Sequence, residues 1–128
     1  MEPQTLLIVD DAHVNRLLPC ILLKQAGHRV FECGSGEQAL RLMELYHVDQ
    51  ILLDIAMPER NGLEICRQIR DMPQYAHVRL IAYTAHAQPH EIKHFLQEGF
   101  DAVLTKPVQA QDILNLVAHS APPNTPSK

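Results

Sequence analysis

Five short apolar segments set the terms of what this chain can become: TLLIV (5–9), RVFEC (29–33), QILL (50–53), RLIAY (79–83) and AVLT (102–105). They are aliphatic or β-branched and poor in charge. Most are near-continuously apolar rather than alternating, the pattern of parallel strands covered on both faces. Stretches with helical spacing separate them, and strand–helix alternation at this interval calls for right-handed crossovers and a doubly wound parallel sheet. With 128 residues, a single such domain buries roughly two-thirds of its unfolded surface and needs no disulfide or metal to hold it.

The helical stretches carry their own punctuation. Val14, Leu17, Leu18, Ile21 and Leu22 recur on one face, with Gly27 as the expected stop. Ser35 and Gln38 have capping-box spacing, as do Asn61 and Glu64 before Ile65, Cys66 and Ile69, with Pro73 beyond. Pro89 suits the first turn of a helix whose buried stripe is read as Ile92, Phe95 and Leu96, ending at Gly99. Ile113, Leu114 and Val117 mark the last helix. Pro19 falls inside the first helix and is expected to kink or split it. The expected architecture is α/β: a flavodoxin-like five-stranded parallel sheet, order 2-1-3-4-5, with five helices. It occupies residues 1–119, and 120–128 read as a proline-rich flexible tail or linker.

In open α/β sheets, ligands bind beyond the carboxyl ends of the strands. There the first strand carries Asp10-Asp11, the third Asp54, the fourth Thr84 and the fifth Lys106. The second ends in Cys33-Gly34, with nothing charged, and in this order it is the edge. Each residue has an ordinary reading: Asp10 and Asp11 as helix caps, Thr84 as a strand-end hydroxyl, Lys106 as a solvated lysine. Asp54 resists one, because ILLDIA would raise a carboxyl's pKa unless a cation stood close. Together the carboxylates form a hard oxygen site of the kind Mg²⁺ prefers, with space for phosphate oxygens. Lys106 adds a compact charge for a phosphoryl group, and Asp54 is best placed to be a nucleophile forming an aspartyl-phosphate.

Composition excludes several classes. A net charge of −4 argues against a nucleic-acid surface. No stretch approaches the ~20 apolar residues of a membrane span, and MEPQTLLIVDD lacks the pattern of a signal peptide. Cys20, Cys33 and Cys66 are unpaired in spacing and read as small buried hydrophobes, which with the rest suggests a cytoplasmic location.

The ordered set VDD (9–11), LLDIAMPERNG (52–62), TA (84–85) and KP (106–107) resembles the CheY-like receiver domain of two-component response regulators, over residues 5 to 119. HVNRLL and YTAHA look like receivers attached to hybrid sensor kinases. The resemblance implies that Asp54 accepts a phosphoryl group from a histidine kinase or histidine phosphotransfer protein. It makes Asp10, Asp11, Asp54 and the Ala56 carbonyl ligands of Mg²⁺, Lys106 a phosphoryl contact and Thr84 the switch. By the same resemblance, Ala56 and His86 stand at positions that in this family tune the lifetime of the phosphate. Val103 stands where the family usually has an aromatic residue, which puts an aromatic flip in doubt. A downstream protein or output domain would read the fourth and fifth helices. Such a domain is a switch with slow self-hydrolysis more than a conventional enzyme.

Rival readings weigh less. HEIKH places His90, Glu91 and His94 in the zinc-peptidase pattern. However, His90 and His94 are expected opposite the buried stripe, and His119 is the only evident third ligand. Flavin binding would set a phosphate against Asp10-Asp11. A phosphorylation-independent interaction module of the same fold leaves the complete Asp/Asp/Asp/Thr/Lys set without a purpose.

Overall fold

The computed structural model describes residues 3–57, 61–85 and 87–118. Strands β1 (Thr5–Val9), β2 (Arg29–Cys33), β3 (Gln50–Asp54), β4 (Arg79–Thr84) and β5 (Ala102–Thr105) alternate with helices α1 (His13–Gln25), α2 (Gly36–Leu45), α3 (Gly62–Arg70), α4 (Pro89–Gln97) and α5 (Ala110–Ala118). A single 3₁₀ turn at Pro73–Tyr75 follows α3. The sheet is parallel throughout, in the expected order β2-β1-β3-β4-β5. Asp54 and Thr84 are the last residues of β3 and β4, so each strand runs one residue further than its apolar run suggested.

Successive strand residues feed two separate cores. Leu7, Val9, Ile51, Leu53, Leu80 and Ala82 face one side, against residues such as Met43 of α2, Ile65 and Ile69 of α3 and Phe95 of α4. Leu6, Ile8, Leu52, Ile81 and Tyr83 face the other, against Cys20 and Leu23 of α1 and Ile113 of α5. Cover on both faces is why β1, β3 and β4 look almost continuously apolar in sequence. All three cysteines are buried and unpaired.

The caps follow the sequence closely. Gln38 N–H donates to Ser35 Oγ at 3.2 Å, while the Gln38 side chain reaches back one residue further than a capping box, accepting from Gly34 N–H at 3.0 Å. Glu64 N–H donates to Asn61 Oδ1 at 3.0 Å. Gly27 and Gly99 end their helices at φ +96° and +120°, where a side chain would be strained.

Three expectations need correcting. Pro19 does not split α1, which is one helix of 13 residues with Pro19 buried inside it. The stripe that α1 buries is Pro19, Cys20 and Leu23; Val14, Leu17, Leu18 and Ile21 are exposed, Val14 by 71%. Both sides of this helix are apolar, so periodicity alone does not tell the packed side from the free one. On α4, Phe95 is buried and Ile92 half-buried, but Leu96 is exposed. Residues 119–128, including His119 and the expected tail, lie outside the described residues, as does His86.

Candidate functional site

The chain leaves β1 and enters α1 within three residues, which holds Asp10 and Asp11 against the end of the sheet. Asp10 is fully buried and Asp11 exposed. Ala12 N–H donates to Asp10 Oδ1 at 2.9 Å, and Ala56 N–H donates to Asp54 Oδ1 at 3.2 Å. Each carboxylate is thus oriented by the amide two residues on, a turn that Asp forms readily. After β3 the chain must return sharply into α3. Gly62 N–H donates to the Ile55 carbonyl at 2.9 Å, and a Cβ on Gly62 would stand 2.5 Å from the Asp54 carbonyl oxygen. Only glycine fits there, because α3 starts in contact with the backbone that presents Asp54. The role of Gly62 is close approach.

Asp10, Asp11 and Asp54 each bring a carboxylate oxygen within 4.8 Å of the others. Among the described residues no other group of three His, Cys, Asp or Glu does so. Lys106 Nζ lies 2.7 Å from Asp10 Oδ2 and 3.3 Å from Asp54 Oδ1, and 4.9 Å from the centre of the Tyr83 ring. Lys106 N–H donates to the Thr84 carbonyl at 2.8 Å, so β4 and β5 deliver Thr84 and Lys106 side by side. The Lys106–Pro107 peptide is cis. Val103 is half-buried on the same strand and lines a shallow hollow of about 450 Å³ with Leu116 of α5.

Burial pushes the Asp54 carboxyl above its ordinary pKa and the Asp10 carboxylate pushes further, while Lys106 and the Ala56 amide pull back. For Lys106, burial disfavours the ammonium, but Asp10 and Asp54 outweigh it and its pKa is raised. Among the described residues, three carboxylates gather around a single ammonium, so the pocket carries an excess of negative charge. Asp10 Oδ2 is buried with no well-directed hydrogen bond; its ion pair with Lys106 is its contact. This acidic pocket is what a small divalent cation fits.

The chain matches the family described as "Response regulator receiver domain" over residues 6–118. It belongs to that receiver family. Among curated relatives it is 31% identical to the polar-differentiation response regulator DivK of Brucella ovis, over 89% of this chain and 93% of DivK. It is 34% identical to the CAI-1 autoinducer sensor kinase/phosphatase CqsS of Vibrio cholerae, over 88% of this chain but only 17% of that much longer protein. The receiver domain of Saccharomyces cerevisiae Ssk1, solved with the histidine phosphotransfer protein Ypd1, shares the fold at TM-score 0.83 and 23% identity, over 91% of this chain and 87% of that one. The chain is therefore a response-regulator receiver domain of two-component signalling.

The structure gathers Asp10, Asp11, Asp54 and Lys106 directly and sets Thr84 beside Lys106. His90 and His94 are exposed on α4, and Glu91 accepts the Gln88 N–H at 3.1 Å as a helix cap. That leaves HEIKH a solvated helix start. Among the described residues no helix is long and apolar enough to cross a membrane. Sequence reasoning gave no role to Arg16, which donates to the Asp10 carbonyl at 2.5 Å, or to Tyr83 beneath Lys106. Neither has a motif that spacing could flag.

Proposed function

We propose that the domain is a phosphoacceptor switch in which Asp54 receives a phosphoryl group from a phosphohistidine. The observation that carries this reading is the buried Asp54 carboxylate, whose two clearest contacts, Ala56 N–H and Lys106, both fall on Oδ1. Oδ2 is the attacking atom: its lone pair forms the new O–P bond as the donor's N–P bond breaks, and the imidazole leaves with the electron pair. Asp10, Asp11, Asp54 and the Ala56 carbonyl would hold Mg²⁺, which when bound offsets their repulsion and screens the incoming phosphoryl oxygens. Lys106 turns from the carboxylates to a phosphoryl oxygen, and Thr84, on the neighbouring strand end, meets another. That exchange of partners biases the loops after β4 and β5 and is the switching event.

The phosphodonor protein is proposed to seat on the exposed face of α1. Val14, Leu17, Leu18 and Ile21 form an apolar patch that begins three residues after Asp11. A donor that brings a phosphohistidine to Asp54 must cover the ground beside the pocket, and this is its apolar part. The Ssk1 receiver in complex with Ypd1 is a precedent for such a partner class.

Incubation with acetyl phosphate and Mg²⁺, followed by intact-mass measurement, tests the reading. One phosphoryl adduct is expected, absent in Asp54→Ala and with chelator. No adduct on the wild type, or an adduct that persists in Asp54→Ala, overturns it.

A further inference from the structure

Pairing of β1 with β2 ends at Val9 and Cys33. Asp10 N–H makes one more rung, to the Cys33 carbonyl at 3.1 Å. The next rung would need a β2 donor for the Asp10 carbonyl, but β2 has ended at Cys33 and the chain turns at Ser35 into α2. Arg16 takes that place from α1. Its Nη1 donates to the Asp10 carbonyl at 2.5 Å, its Nε to Glu32 Oε1 at 3.1 Å, and its Nη2 lies 3.2 Å from His13 Nδ1. Glu32 is itself fastened on its other oxygen by the Cys20 thiol at 3.4 Å. One guanidinium, 16% exposed, therefore ties the end of β1 to β2 and α1.

We infer that Arg16 is a positioning residue for the acidic pair: it holds the Asp10 carbonyl, and so the Asp10–Asp11 turn, in the geometry that a divalent cation requires. This rests on the phosphoacceptor reading above. A guanidinium serves where an ammonium would not, because its fork reaches the carbonyl and Glu32 at once. Glu32 balances its charge, so the latch adds little repulsion toward the cation. Loss of a group that orients metal ligands from behind typically costs about tenfold or more in metal affinity or activity, and Arg16, which touches none of the proposed reacting atoms, is expected to act through affinity.

Mg²⁺ affinity measured by calorimetry, with the Mg²⁺ dependence of phosphorylation by acetyl phosphate, tests the inference on wild type, Arg16→Ala, Arg16→Lys and Glu32→Gln. In Arg16→Ala, Mg²⁺ binding is expected to weaken about tenfold, and the half-saturating Mg²⁺ concentration to rise in step. The rate at saturating Mg²⁺ stays within about twofold of wild type. Arg16→Lys and Glu32→Gln fall between, and Arg16→Lys carries the test if Arg16→Ala does not fold. A merely structural role would lower thermal stability and leave the Mg²⁺ affinity of the folded protein unchanged. Wild-type affinity in the folded Arg16 variants overturns the inference alone; a wild type that neither binds Mg²⁺ nor takes a phosphoryl group overturns the phosphoacceptor reading with it.

Discussion

At the amino-terminal rim of the sheet, Asp101 receives Leu80 N–H at 2.9 Å and Arg70 Nη2 at 2.7 Å. Arg70 also donates to the Gly99 and Val78 carbonyls. Asp49 is engaged on both oxygens, Oδ2 by Thr5 N–H at 2.8 Å and Oδ1 by His47 at 3.0 Å. At the carboxyl-terminal rim, Asp10 and Asp54 face each other across one lysine, and burial and mutual repulsion raise the Asp54 pKa. Residue types are similar at the two ends; the difference is closure. Where carboxylates are satisfied by the fold they hold it together, and where they are left over they await something from outside.

The sharpest challenge to this contrast is Arg70→Ala, which takes from Asp101 its cationic partner and from the Gly99 and Val78 carbonyls this donor. Urea unfolding should show a loss of about 3 kcal/mol, with the Mg²⁺ affinity of the folded protein intact. If Mg²⁺ binding collapses along with stability, the two rims are not separate in function. Next, Mg²⁺ at about a hundredfold its Kd should stabilise the wild type by about 2.7 kcal/mol, and Asp54→Asn by less. A thermal midpoint indifferent to Mg²⁺ would remove the idea of an open rim.

A smaller effect runs the other way. Without divalent cation, Asp54→Asn should stabilise the protein by about 1 kcal/mol at pH 7, since it removes a crowded charge. The sign follows from the raised pKa in the folded state. What Asp54 contributes is greatest when it is protonated, below its unfolded value of about 4, and is lost as pH rises through the folded value. The advantage of Asn should therefore shrink toward pH 4; unfolding in chelator at both pH values, with equal differences, would contradict this. Smallest in stability is Leu18→Lys on the outer face of α1, expected within about 0.5 kcal/mol of wild type. It should slow phosphotransfer from a donor protein and leave acetyl phosphate labelling alone; unaffected transfer would free that face of its proposed partner.

The strands, their order and the cluster at their ends were legible because each rests on a local pattern: an apolar run and the polar residue that stops it. Asp10, Asp11, Asp54 and Lys106 were found this way, and the topology did the rest. The packed side of α1 was not legible, since apolar residues occur on both of its sides and only the neighbouring sheet chooses. Leu96 was misplaced for a similar reason: α4 covers the sheet mainly through Phe95. The tie from Arg16 to the acidic pair was not legible because it ends on the Asp10 backbone carbonyl, which leaves no mark in the order of side chains.

Ala12 alone separates Asp11 from the first residue of α1. With the donor seated on α1 as proposed, recognition and chemistry are soldered to one short bracket, and no loop could be swapped to exchange one while sparing the other. On that seating, new wiring between this domain and a donor would be written by single replacements at Val14, Leu17, Leu18 and Ile21, which leaves insulation between parallel circuits to a handful of side chains.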